Sequence, residues 1–176
     1  MRAAYQYGLA LALTRELDFE EARSLIRGLR KEHPMNIPFV IAEAKTYQGP
    51  QQADIAIEIL EHALDFNTKN YPLTFNLAEA FIAARKPHAA IEALIPLSVE
   101  RPSDENVWYL LAEAYGLASN VPAVHEARAE FFVLNGNFEQ AIKQLGYALP
   151  LVRHNFQRSA KLRQRLQEIW DLKEES

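Results

Sequence analysis

The sequence has 176 residues, 26 of them Ala and 22 Leu against only 6 Gly, and it carries no Cys and a net charge of −4. That length holds one domain or a short tandem array, and the bias toward strong helix formers favours helices over sheets. Disulfide scaffolds, thiol nucleophiles and Cys-bound zinc are excluded, the 49% hydrophobic content opposes disorder, and the acidic balance argues against broad binding to a phosphate backbone.

Apolar residues at helical spacing predict a first helix near 3–15 and a second near 19–31, with Asp18 before Phe19-Glu20-Glu21 as a helix start. Helices near 37–48 and 53–66 follow, then 71–84 and 87–99. Pro38, Pro72, Pro87 and Pro122 stand where a first turn tolerates proline, whereas Pro96 falls inside 87–99 and predicts a kink or an early end. Ser103 before Asp104-Glu105 reads as the start of a helix near 105–118, and 121–134 and 138–150 come next. The last helix, near 155–171, places Phe156, Leu162, Leu166, Ile169 and Trp170 on one side, and the remainder to Ser176 is expected to fray.

These helices repeat with a period of 34 residues. Counting from residues 3, 37, 71 and 105, the eighth place holds Ala10, Ala44, Ala78 and Ala112, and the twentieth holds Ala22, Ala56, Ala90 and Val124. The eleventh place holds the larger Leu13, Tyr47, Phe81 and Tyr115, so that large and small residues interdigitate between helices. In the second repeat the strict count puts Glu43 at a normally apolar place. Sliding by two residues puts Ile41 there instead and Gly49 in the turn, with a longer loop before Ala53; both counts fit. In the fourth repeat Arg128 falls at an apolar place, but a count restarted at 122 gives Ala129, Phe132, Gly136, Ala141 and Leu145 at the expected places. The helix 121–134 thus belongs to two overlapping repeats.

This pattern resembles the tetratricopeptide repeat, a helix-turn-helix unit of about 34 residues. The resemblance implies an all-α, right-handed α-solenoid of about ten helices. Its repeat array would span 3–152, and a C-terminal capping helix and tail would take 153–176.

Chemistry is sought in vain. No H-E-x-x-H pair is present, because His125-Glu126 is followed by Ala129 where the second His would stand, and there is neither a phosphate-binding G-x-x-x-x-G-K nor a G-x-G-x-x-G. Ser24, Ser98, Ser119 and Ser159 lack a nucleophile-elbow setting, and pairs such as Glu20-Glu21 and Glu58-Glu61 read as solvated surface charge. No catalytic, metal or cofactor site is expected. No apolar run approaches the roughly 18 to 20 residues of a membrane span, and no basic, apolar, small-residue start reads as a signal peptide.

What remains is surface. In tetratricopeptide arrays the first helix of each repeat lines a groove, so the resemblance points to Tyr7, Ile41, Phe75 and Tyr109 at position 5 and Leu11, Lys45, Glu79 and Glu113 at position 9. An apolar, aromatic floor with an acidic later half suits an extended or helical segment with apolar anchors. The same side chains also fit a packing role between neighbouring helices. A clamp for C-terminal carboxylates is not expected, since its places hold Tyr7, Leu11, Ala42, Pro72 and Asn76. Residues 1–152 carry a net −6 and the last 24 a net +2, with Arg153, Arg158, Lys161, Arg163 and Arg165 as a candidate basic docking surface for an acidic partner or as a solvated capping helix.

A closer resemblance is carried by Arg2-Ala3-Ala4 with Tyr7-Gly8 and Ala10-Leu11, by Phe19-Glu20-Glu21-Ala22-Arg23, and by Asn76-Leu77-Ala78-Glu79-Ala80-Phe81. It continues through Trp108-Tyr109-Leu110-Leu111-Ala112-Glu113-Ala114 and through Ala127-Arg128-Ala129-Glu130 to Gly136-Asn137-Phe138-Glu139-Gln140-Ala141-Ile142. These blocks resemble the C-terminal tetratricopeptide domain of the BepA-type periplasmic zinc metalloproteases, which also act as chaperones in outer-membrane β-barrel assembly. The resemblance implies a non-catalytic module that engages β-barrel proteins and their assembly machinery beside an N-terminal protease domain. It implies a periplasmic location, where the residues alone would fit the cytoplasm, and it makes Met1 read as an added expression start. A free-standing tetratricopeptide scaffold of another pathway is the alternative, and an enzyme in its own right is a third.

Overall fold

The computed structural model describes residues 2–47, 49 and 51–175, so Met1 and Ser176 lie outside the described residues. Among those described there are ten helices and no strand, in two units. Residues 1–86 hold α1 (Arg2–Arg15), α2 (Phe19–Glu32), α3 (Ile37–Lys45), α4 (Ala53–Phe66) and α5 (Tyr71–Ala83). Residues 87–176 hold α6 (Pro87–Glu100), α7 (Glu105–Leu117), α8 (Val121–Leu134), α9 (Phe138–Leu151) and α10 (Phe156–Glu174). Within each unit every helix packs on the next along the chain, and in the first unit α1 also meets α3 and α3 meets α5.

The helix starts repeat as strictly as the core does. Asn36, Asn70 and Asp104, each 34 residues apart, accept from the backbone N–H of Phe39, Leu73 and Asn106 at 3.3, 3.1 and 3.1 Å. Asn120, Asn137 and Asn155 do the same for α8, α9 and α10, and Asp18 does so for α2. Each such cap satisfies an otherwise orphaned donor and contributes about 1 kcal/mol. For α7 the capping side chain is Asp104, one residue beyond the Ser103 expected from sequence, because the carboxylate is the group within reach of the Asn106 N–H. Pro38, Pro72 and Pro122 occupy the first turns of α3, α5 and α8, and Pro87 begins α6.

The turns after the first helix of each repeat share one backbone conformation. Leu17, Arg85 and Ser119, all at the fifteenth place of their repeats, have φ of 67°, 57° and 57°, and Gly136, the fifteenth residue of the overlapping count from 122, has φ 69°. In the second repeat the positive φ, 97°, falls on Gly49, two residues early. The side chains nonetheless keep the strict count, since Ala44, Tyr47, Ala56 and Leu60 share one apolar cluster with Leu73, Leu77 and Ala80. The second repeat therefore combines both readings: its core follows one register and its turn the other. The cost is a short α3, which ends at Lys45 and not near residue 48.

In the second unit Ala129, Ala141 and Leu145 form a cluster with Ala148, Val152, Leu162 and Ile169, with Phe132 packed against it, as the restarted count requires. Three expectations for this part of the chain are corrected in whole or in part. Pro96 does not end α6, which continues to Glu100; the ring lies on the exposed side, and only one helical hydrogen bond is forfeited. Residues past 171 continue α10 to Glu174, with Lys173 Nζ donating to Glu139 Oε1 at 3.1 Å. Nor do Phe156 and Trp170 join the packed side of α10: they are 82% and 42% exposed. At about 100° per residue, Phe156 lies about 110° and Trp170 about 70° round from the stripe of Leu162, Leu166 and Ile169.

Candidate protein-binding site

The place of Glu43 is set by an arginine ladder on α2. Arg23, Arg27 and Arg30, spaced to lie on one helix face, all reach toward α3 and the residues that follow it. The Arg30 guanidinium donates to the Glu43 carboxylate, and Arg27 Nε lies 3.9 Å from its other oxygen. Arg27 also donates to the Tyr47 hydroxyl at 2.9 Å, a bond that raises its own pKa, and Arg23 lies 4.7 Å over the Tyr47 ring. A buried carboxylate at an apolar place is thus paired, as burial demands.

Of the groove residues expected from sequence, Tyr7, Leu11, Ile41, Lys45, Phe75 and Glu79 belong to the first unit and Tyr109 and Glu113 to the second. Tyr7 and Leu11 are half-buried against Ala10, Ile26 and Ala42, with the Tyr7 ring 5.2 Å from Phe39 and its hydroxyl pKa pushed up by burial. Ile41 packs on the cluster around Leu60. Phe75 is half-buried and stacks on Tyr71 at 5.8 Å. Lys45 and Glu79 face one another between α3 and α5 at 3.6 Å. Tyr109 is different: it is 57% exposed, touching Phe131 at 6.0 Å between ring centres, and Glu113 on the same helix is exposed as well.

The early end of α3 leaves an opening. A cavity of about 340 Å³ lies between α3, α4 and α5, floored by Ala44, Ala56, Leu60 and Ala80 and edged by Tyr47, Asn76, Ala83 and the Lys45–Glu79 pair. Four of its lining residues are alanines, whose side chains reach little into the space. Sequence reasoning missed this feature. Its only signal in the sequence is the conflict between the two counts of the second repeat.

The basic run divides in two. Arg158 donates to Glu126 at 2.7 Å, and Arg165 makes a forked pair with Glu130 at 2.8 and 2.7 Å and reaches Glu168 at 2.9 Å. Both thus fasten α10 to α8; the bonds to Glu130 and Glu168 raise the Arg165 pKa, and Arg165 holds the Glu168 carboxyl below its ordinary value. Arg153, Lys161 and Arg163 remain exposed, with Arg153 donating to His154 at 3.0 Å. Among the described residues no group of three or more acidic or His side chains is arranged to hold a metal ion, and no helix is long and apolar enough to cross a membrane.

A tetratricopeptide-repeat family model matches residues 49–114. The β-barrel assembly-enhancing protease of Yersinia pestis is 32% identical over 171 residues, 97% of this chain and 35% of the relative, and that of Escherichia coli K12 is 31% identical over the same span. The chain therefore spans about a third of the length of these relatives. Among solved structures, MamA (residues 41 to the end) from Desulfovibrio magneticus RS-1 has a TM-score of 0.66 at 14% identity, covering 96% of this chain and 95% of that one. A thermophilic TPR protein from Thermus thermophilus has a TM-score of 0.60 at 16% identity, covering 96% and 98%. The all-helical repeat fold expected from the 34-residue period is borne out.

Proposed function

We propose that this chain is the client- and partner-binding module of a protease of the β-barrel assembly-enhancing kind, because a tetratricopeptide-repeat model matches residues 49–114 and such proteases are similar to it over 97% of its length. The observation that carries this reading is the alignment over 97% of the chain with proteins named for β-barrel assembly. The module does no chemistry; it presents side chains of its odd-numbered helices to segments of unfolded β-barrel proteins and to their assembly machinery, in the periplasm, beside a protease domain. The exposed Tyr109 and Glu113 of α7 support it, as does the cavity beside Lys45 and Glu79. Arg153, Lys161 and Arg163 form the part of the basic run left available to an acidic partner.

Capture of a urea-unfolded outer-membrane β-barrel protein by the purified chain, read by pull-down and by light scattering of the client, tests this. Tyr109→Glu is expected to weaken capture severalfold with an unchanged Tm, because its ring is largely in water. Tyr7→Glu, by contrast, is expected to lower stability by about 2 kcal/mol, since it places a charge among Ala10, Ile26 and Ala42. Capture that is absent in the wild type would sink the reading.

A further inference from the structure

We propose that the cavity between α3, α4 and α5 is a side-chain pocket for tyrosine or tryptophan, reading both the ring and its O–H or N–H. This rests on the client-binding reading above and names what the client must present.

The size is right for one large side chain: about 340 Å³ is at the small end of ligand-binding cavities, with an apolar wall of Ala44, Ala56, Leu60, Ala80 and Ala83 beside the Tyr47 ring. The polar groups around it select further. The Asn76 amide nitrogen donates to the Pro72 carbonyl at 2.8 Å, which fixes the orientation of the amide, and Asn76 Oδ1 is left shut off from solvent with no partner. Glu79, at the rim, is approached by Lys45 only at 3.6 Å, beyond hydrogen-bond reach, and both side chains are about half exposed, 40% and 49%. The unmet demand is therefore for a donor. A carboxylate or phosphate would meet the cation Lys45 but set its charge against Glu79 and leave Asn76 Oδ1 without a donor; a phenylalanine or leucine fills the volume and donates to neither oxygen. Tyrosine and tryptophan have the apolar body with one donor at its tip that this lining calls for. The Glu79 carboxylate is reachable as it stands, whereas a donor reaches the enclosed Asn76 Oδ1 only on displacement of the rim side chains. Outer-membrane β-barrels carry aromatic girdles at both membrane interfaces, so an unfolded barrel strand offers such residues repeatedly.

The test is a titration of the ¹⁵N-labelled 176-residue chain with the blocked tripeptide acetyl-Gly-Trp-Gly-amide and its Tyr, Phe and Leu counterparts. The Trp and Tyr peptides are expected to shift the amides of Lys45, Gly49, Asn76 and Ala80 and to bind about fivefold tighter than Phe or Leu, the worth of one hydrogen bond. Ala83→Phe, at the partly exposed edge of the cavity, is expected to abolish those shifts, and Asn76→Leu to narrow the Trp-to-Phe ratio. Equal binding of Trp and Phe by the wild type, shifts confined to other residues, or full binding by Ala83→Phe overturns the proposal. Should Ala83→Phe fold poorly, the wild-type peptide series decides. If the chain captures a β-barrel client and folded Ala83→Phe captures it equally well, the pocket assignment falls and the client-binding reading stands. If the peptides behave as expected and no β-barrel client is captured, the pocket stands and that reading falls.

Discussion

The second repeat, α3 and α4, and the hairpins of α7, α8 and α9 solve the same packing problem in opposite ways. In α7–α9 core and turn both follow the count restarted at 122, the interior is apolar, and the charges of Glu126 and Glu130 lie at the edge where arginines of α10 meet them. In the second repeat the core and turn counts disagree by two residues. A carboxylate is buried there, an arginine ladder on α2 neutralises it, and a cavity is left open. Regularity gives a filled core, while the local conflict gives a hole that a partner's side chain is able to use. A fold of this kind places its site where its own pattern breaks.

Four measurements break or sharpen this contrast. The largest effect is expected from Glu43→Ala, which leaves the little-exposed Arg30 without its carboxylate partner; a loss of about 2 kcal/mol in urea unfolding is expected, persisting at high salt because the pair is little exposed to water. A loss below half of that would mean the buried charge matters no more than a surface one. Next is Arg165→Ala, expected to cost about 1 kcal/mol at low salt and less at about 0.5 M NaCl, since its pairs with Glu130 and Glu168 are partly solvated.

The same edge carries a pH dependence. Glu168, held down by Arg165, and Glu139, held down by Lys173, both titrate below the ordinary 4.5 when folded, so the folded state binds fewer protons than the unfolded one in that range. Their stabilisation is present above pH 4.5 and is lost as pH falls through the folded values. Arg165→Ala is expected to flatten this slope, and an unchanged slope would assign it to other carboxylates. The smallest effect is expected from Leu17→Gly. The side chain is 66% exposed and its φ of 67° strains a residue with a Cβ, so the variant is expected to gain about 0.5 kcal/mol once glycine's added chain entropy is deducted. A loss there would show that the turn is held by Leu17 contacts and not by backbone conformation.

Most of the fold was legible because one period governs several independent features. Small residues at the eighth and twentieth places and the prolines Pro38 and Pro72 fall on one count, and Gly136 falls on the overlapping one. The caps Asn36, Asn70 and Asp104 repeat equally well but escaped notice, since asparagine fits a loop as readily as a helix start, and only the bond to a backbone N–H separates the two. The candidate site was less legible. Position 5 of a repeat fixes the helix face but not the depth of the neighbours, so Tyr7 and Tyr109 occupy equivalent places and differ in exposure because Phe39 and Ala42 flank the first. Likewise the basic residues of α10 were visible as a run. Which of them would be spent on Glu126 and Glu130 depends on the angle at which α10 meets α8, and no local pattern encodes that.

The shared role of α8 has a consequence for how such a chain is able to change length. A helix that serves as the second member of one hairpin and the first of the next makes the unit of growth a single helix of about 17 residues, not a pair. Insertion or loss of one helix would then preserve the core contacts on either side while reversing the edge at which the chain emerges. The parity of the helix count thereby becomes a way of redirecting whatever follows without redesigning the surface that precedes it.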